Sequence, residues 1–124
     1  MQSERTHPVA YALTVARACG ELAEEALVGG GLQKPLAAAL SAAANSAALR
    51  LEAFLNSKGG DLVEELGRDI KHAQADLEAV AQIVGLAVSQ DLTRYNSLHV
   101  ARVARYATDQ AAKRLKHVDD ALDH

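Results

Sequence analysis

The chain has 124 residues, of which 49% are apolar and 23% charged, and its formal net charge is −3. This length fits one domain over residues 1–124 and leaves no room for two. It contains 26 Ala and 17 Leu but no Trp, a composition that favours helices over sheets because Ala and Leu lose little entropy in a helix. No apolar run reaches the roughly 18 residues that span a bilayer, and the start MQSERTHP is unlike a signal peptide, so we expect a cytoplasmic protein without membrane contact.

The first half of the chain predicts two long helices. Pro8 is a helix-start signal, and the first helix runs to about Val28, where the glycines at 29–31 end it. This glycine run lacks the Lys and Ser/Thr of a phosphate-binding loop, so we interpret it as a C-cap and turn. The second helix starts near Pro35 and ends at the glycines at 59–60. The apolar stripes are Ala12, Val15, Cys19, Leu22 and Ala26 in the first helix, and Leu36, Leu40, Ala44, Ala47, Leu51, Phe54 and Leu55 in the second.

The second half predicts a short connecting helix and two more long helices. From Asp61 a helical turn leads through Gly67 into the third helix, which Gly85 ends, and Ser89 is the expected cap of the last helix. The expected buried sides are Ile70, Ala73, Leu77, Val80, Ala81 and Val84, then Leu92, Val100, Val103, Ala107, Ala111, Val118 and Leu122. The sequence therefore predicts an all-α antiparallel bundle of four main helices plus a short connecting helix.

Neither the single cysteine nor the internal histidine at position 72 predicts a metal site. Cys19 has no cysteine partner, and its place on an apolar stripe predicts a small core residue and not a nucleophile. His72 follows Asp69 by three residues, but a carboxylate-bridged metal bundle needs about six ligands that include two such motifs. We therefore expect His72 to be solvated or to cap a helix, and we expect no metal and no cofactor.

Positive charge is concentrated in the last helix. Residues 94–118 hold six Lys or Arg against Asp109 alone, a net charge of 6 − 1 = +5, whereas residues 1–93 hold 7 basic and 12 acidic residues. This asymmetry suggests an anionic partner for the last helix. The alternative is that its cations face acidic side chains of the same chain or of a second copy. Those acidic side chains are Glu21, Glu24, Glu25, Glu64 and Glu65.

The start of the last helix contains residue types that can cut RNA. Arg94 is followed by four residues and then His99. A histidine can take a proton from the 2′-hydroxyl or give one to the leaving oxygen, and an arginine can hold the phosphate. Five helical residues place the two side chains roughly 140° apart, so two copies facing each other across a two-fold axis would be needed to form one cleft.

Four nearby residues are spaced to form a stripe of aromatic and basic side chains. Tyr95, His99, Arg102 and Tyr106 follow one another at intervals of four, three and four, so base stacking and phosphate contact are both available there. Asn96 is a further candidate for RNA contact. The alternative is that His99 lies at the edge of the core, bonded to a carbonyl or to a tyrosine hydroxyl.

The order of three segments resembles the HEPN family (higher eukaryotes and prokaryotes nucleotide-binding domain). The segments are SAAANSAALRLEAFLNSKGG, DIKHAQADLEAVAQIVGL and LTRYNSLHVARVARY, within residues 36–106. The resemblance implies an all-α, usually homodimeric, RNA-binding domain that is often a metal-independent endoribonuclease of toxin–antitoxin or defence systems. In toxin pairs the usual partner is a small nucleotidyltransferase-like antitoxin.

Carried over to this chain, the family's catalytic pair matches Arg94 and His99. The family commonly has Asn, Asp or His directly after the arginine, whereas this chain has Tyr95, with Asn96 one step later. Two functions therefore stay open at the level of sequence. One is an RNA-binding or RNA-cleaving homodimer, and the other is a non-catalytic helical interaction module that docks an acidic protein partner.

Overall fold

A computed structural model describes residues 7–122, so the ends of the predicted domain and most of the MQSERTHP segment lie outside the described residues. The described part contains four α-helices and no strand, which confirms the all-α bundle. One 3₁₀ turn, Gly59–Asp61, is the short connecting element. No helix among these residues has the length and apolar character needed to cross a membrane. The helices are α1 (Pro8–Val28), α2 (Lys34–Lys58), α3 (Glu64–Ser89) and α4 (Arg94–Leu122).

Each helix packs antiparallel against the next one, and α4 closes the bundle against α1. Contacts between residues show that neighbouring helices run in opposite directions. As one helix proceeds toward its C-terminus, the residues that it contacts lie progressively closer to the N-terminus of the neighbouring helix. Tyr11 bonds Ser46 and Cys19 lies against Leu40 between α1 and α2, while Ser41 bonds Ala81 between α2 and α3. The result is an up-down-up-down bundle with short connections.

The core is built largely from small side chains. Of the 27 buried apolar residues in the described part of the chain, 13 are Ala, so the helices can approach each other closely. Between α1 and α4, a Cβ added at Gly20 would lie 3.2 Å from Thr108 Oγ1. The largest fully buried side chains are Leu40, Leu51, Ile70, Leu77 and Leu115. Each of these residues removes more apolar area from water than a buried Ala does.

Both ends of α1 lie where the sequence predicts them. At the start, His7 Nδ1 accepts the backbone N–H of Val9 at 3.1 Å. At the end, the Gly31 N–H donates to Ala26 O at 2.7 Å, and Gly30 and Gly31 adopt φ of 95° and 139°. These positive angles are accessible to glycine and strained for other residues. The interpretation of the glycine run as a C-cap and turn is confirmed.

Two predicted boundaries of the third helix and the predicted cap of the last helix are wrong. Gly67 lies in the first turn of α3, where its N–H donates to Val63 O, so the helical turn predicted from Asp61 to Gly67 is not a separate element: α3 begins at Glu64, and the separate short turn is Gly59–Asp61. Gly85 lies inside α3, because neighbouring helices stabilise a glycine that propensity alone disfavours. Ser89 is the last residue of α3 and its hydroxyl donates to Gly85 O, so it does not cap α4.

The buried side of α4 also differs from the prediction. Leu92, Val103, Ala107 and Leu122 are only half-buried, and Leu92 precedes the first residue of α4, whereas Ser97 and Thr108 are buried although they are polar. Both hydroxyls make internal hydrogen bonds: Ser97 with Leu32 of the α1–α2 turn, and Thr108 with Arg105 O at 3.0 Å. A hydrogen-bonded hydroxyl can be buried at small cost, which an apolar pattern cannot reveal.

Replacing Gly31 with Ala should lower the free energy of unfolding by about 1–3 kcal/mol, because the new residue would be strained at positive φ. Its Cβ would also lie 2.8 Å from Ser97 Oγ. Gly60→Ala is the matched control, since nothing lies within 4 Å of the added Cβ, and it should change stability by less than about 0.5 kcal/mol. Urea denaturation measures both, and equal effects would contradict this account of the turn.

The Cys19 thiol should not react with a thiol reagent while the protein is folded. It is 1% exposed, and burial raises its pKa to about 11, so little of the reactive thiolate forms near neutral pH. In denaturing urea the same thiol should react completely. Reagent absorbance at pH 8 measures both rates, and fast reaction of the native protein would show that Cys19 is not a core residue.

Candidate functional site

The start of α4 is fixed by Thr93 and by the turn between α1 and α2. Thr93 Oγ1 accepts the backbone N–H of Asn96 at 3.1 Å, and Thr93 O accepts that of Ser97 at 2.8 Å, as expected of an N-cap residue. The buried Ser97 hydroxyl accepts the Leu32 N–H and donates to the Leu32 carbonyl oxygen. These bonds hold the first turns of α4 against the α1–α2 turn.

Tyr95, His99, Arg102 and Tyr106 all lie exposed on α4, and we call them the α4 stripe. At 100° per residue they span about 60° of the helix surface, on the side opposite the buried Ala104. Tyr95 is 76% exposed and Tyr106 is 68% exposed. The stripe therefore faces away from the core over three turns of the helix.

His99 belongs to this outward face and not to the edge of the core. It is exposed, and within residues 7–122 it makes no hydrogen bond and no ion pair. The alternative of a core-edge histidine bonded to a carbonyl or a tyrosine is therefore wrong. Its imidazole is therefore accessible from solvent.

Arg94 does not lie on the same face as His99. It is the first residue of α4, and a Cβ added at Gly30 would lie 3.3 Å from its Nη2 atom, so the guanidinium lies against the α1–α2 turn. Asp91, three residues earlier, pairs with Lys34 at 2.7 Å instead, and this bond lowers the pKa of Asp91 below its ordinary value. Asn96 is exposed on the other flank of the helix. One copy of the chain thus does not bring Arg94 and His99 together.

Most cations of α4 are neutralised by acidic residues of the same chain. Of the six Lys and Arg between residues 94 and 118, only Arg94 and Arg102 have no carboxylate within 4.0 Å in the part that the structure describes. Of the five acidic side chains predicted to face the basic helix, only Glu24 pairs with one of these cations in the described residues, and the other three pairs use Asp76, Asp109 and Asp120. The four pairs are Arg105–Glu24 (2.6 Å), Lys113–Asp109 (3.3 Å), Arg114–Asp76 (3.9 Å) and Lys116–Asp120 (2.8 Å).

A groove of about 840 Å³ runs beside the stripe, between α1 and α4. Arg102 and Tyr106 lie on its α4 side. The groove is lined by four carboxylates and three guanidinium groups, so its formal charge is slightly negative. Arg102 and Tyr106 thus belong both to the lining of this groove and to the α4 stripe.

One cluster of chemically active side chains lies outside the predicted site. His117 of α4 lies beside Glu65 and Asp69 of α3, and their ligand atoms are all within 4.8 Å of one another. In the sequence, His72 follows Asp69 by three residues and draws attention to a different combination. In the structure, His72 is exposed and forms no hydrogen bond or ion pair in the described residues. The useful signal would have been Glu65 and Asp69 at i and i+4, which places both carboxylates on one face of α3.

Comparisons with known proteins found no protein similar to this chain. A scan against models of protein families found no match, and searches of curated proteins and of solved structures found none. The resemblance to the HEPN family therefore stays a prediction that depends on the order of three sequence segments.

Proposed function

We propose that this protein binds single-stranded RNA through the α4 stripe and that Arg94 and His99 of two copies form a metal-independent ribonuclease site. One observation carries the proposal: Arg94 and Arg102, the two Lys or Arg residues of α4 without a carboxylate within 4.0 Å in the described residues, lie in the same stretch of α4, residues 94–106, as the exposed Tyr95, His99 and Tyr106. The first turn of α4 also lacks acidic side chains. The positive end of the helix dipole and Arg94 therefore act on a phosphate in the same direction.

Binding would combine stacking with phosphate contact. Tyr106 lies eleven positions after Tyr95, a distance of about 16 Å along the helix. Each exposed phenol ring offers a face on which a base can stack, an interaction worth about 1–3 kcal/mol per base. Arg102 lies between the two rings and has donors free for a phosphate. The spacing suits a short single strand that lies along the helix.

Cleavage would require two copies. His99 would take the proton of a 2′-hydroxyl, whose oxygen then attacks the adjacent phosphorus while the P–O5′ bond breaks. The departing O5′ oxygen takes a proton from the second imidazole, which leaves a 2′,3′-cyclic phosphate and a 5′-hydroxyl. Arg94 would donate hydrogen bonds to the charged phosphoryl oxygens. Arg94 and His99 of one copy lie on different faces of α4. Arg94 of one copy would therefore act together with His99 of the other copy, across a two-fold axis.

The alternative function is a helical module that docks an acidic protein partner. It has less support, because four of the six cations are already paired within the chain. Two isolated guanidinium groups are few for an acidic protein surface, whereas with two aromatic rings they match a short RNA strand. A toxin–antitoxin or defence role, with a nucleotidyltransferase-like partner, stays a further prediction from the resemblance.

Replacing Arg102 with Ala should weaken binding to a short single-stranded RNA several-fold and reduce the salt dependence by about one phosphate contact. Arg105→Ala is the matched control, because Arg105 already pairs with Glu24 at 2.6 Å, and it should leave the affinity nearly unchanged. Fluorescence anisotropy at several salt concentrations measures both. Equal losses, or no RNA binding by the wild type, would favour the interaction module.

Replacing His99 with Ala should reduce RNA cleavage by about 10²–10⁴-fold, the usual contribution of a general acid–base. The dimer should persist, which sedimentation measures, and RNA binding should be largely kept. His72→Ala provides the control, since His72 is an exposed histidine of α3 and its loss should not change cleavage. Unchanged cleavage by the His99 variant would rule out this site.

A further inference from the structure

Three side chains that commonly bind metals converge between α3 and α4. His117 Nε2 lies 3.7 Å from Glu65 Oε2 and 3.8 Å from Asp69 Oδ2. All three ligand atoms lie within 4.8 Å of one another. The two carboxylates come from one helix and the imidazole from its antiparallel neighbour, so tertiary structure assembles the set.

The distances are close to those of a zinc site. Zinc binds His nitrogen and carboxylate oxygen at about 2.0–2.2 Å in tetrahedral geometry. Two such ligand atoms are therefore roughly 3.3–3.6 Å apart. The two measured nitrogen–oxygen distances exceed this range by only a few tenths of an ångström. The two carboxylate oxygens lie within 4.8 Å of each other, and rotations of the Glu65 and His117 side chains, which are more than half exposed, would bring the three atoms onto one ion.

The electrostatic surroundings of the cluster favour the binding of a cation. Within the described residues, no Lys or Arg nitrogen lies within 4.0 Å of Glu65 or Asp69, and His117 is the partner of both. Asp69 keeps only 26% of its side-chain exposure, while Glu65 and His117 are more than half exposed. Two like charges one helical turn apart destabilise each other. A divalent ion would neutralise both.

We propose that Glu65, Asp69 and His117 form a binding site for a divalent transition-metal ion such as Zn²⁺. One imidazole with two carboxylates favours zinc over magnesium, which prefers oxygen ligands and retains its water. Three protein ligands leave a fourth position for solvent. By joining α3 to α4, the ion stabilises the folded chain because the unfolded chain has no preformed site.

This site is independent of the proposed RNA chemistry. His117 lies 18 residues beyond His99 on the same helix, a distance of about 27 Å. The ion would therefore act on stability and not on a phosphate bound at the α4 stripe. The proposal does not rest on the proposed function, and either can fail alone.

Titration of the full chain with Zn²⁺, followed by calorimetry and by thermal unfolding, tests the proposal. We expect one ion per chain and a midpoint temperature raised by several degrees when zinc is in excess. His117→Ala and Asp69→Asn should each weaken zinc binding about tenfold or more and remove most of the temperature shift. Both substitutions are near the surface, so the variants should fold, which circular dichroism verifies.

The control is His72→Ala, which removes an exposed histidine of α3 outside the cluster. It should bind zinc as tightly as the wild type does. Equal zinc affinity in the wild type and His117→Ala would overturn the proposal, as would a loss in His72→Ala as large as that in His117→Ala. Magnesium that bound as tightly as zinc would also overturn it, because the imidazole would then not be a ligand.

Discussion

Close packing of the helices through small side chains is the constraint on which the rest of this structure depends. Alanine fills almost half of the buried apolar positions in the described residues, and Gly20 lets α1 approach Thr108 of α4. Such a core provides little apolar area per residue, so it needs long helices that stay in contact along their length. α4, with 29 residues, is supported by α1 and α3 on its inner side, and its outer side is free for binding.

Along the exposed side of α4, ion pairing of the cations differs between the start of the helix and its later turns. The cause is the position of the acidic side chains in the bundle. From Arg105 onward, acidic side chains on α1, α3 and α4 itself neutralise the cations. At the first turn of α4, the neighbour of Arg94 and Ser97 is the glycine turn, which carries no charged side chain, and Asp91 is occupied by Lys34. The turn that ends α1 thus also leaves Arg94 without an acidic partner. Fold and candidate site are linked at this turn.

Local chemistry explains which features were predictable from the sequence. The glycine turn and the start of α1 follow from residue conformational preferences, and the four-helix bundle follows from the spacing of apolar residues. The ends of α3 do not, because tertiary packing keeps Gly67 and Gly85 helical. Ser97 and Thr108 were missed since their burial depends on hydrogen bonds to Leu32 and Arg105. For the candidate site, helical periodicity predicts the α4 stripe, but ion pairing and the contact of His117 with Asp69 require three-dimensional information.

The central claim is that RNA lies along the outer face of the first turns of α4. Photo-crosslinking tests it most directly, with a short single-stranded RNA that carries a photoreactive uridine and mass spectrometry to locate the attached peptide. The account predicts attachment within residues 95–106, at Tyr95 or Tyr106. Attachment confined to the acidic groove side of α1 or to the last turns of α4, or no attachment at all, would contradict it.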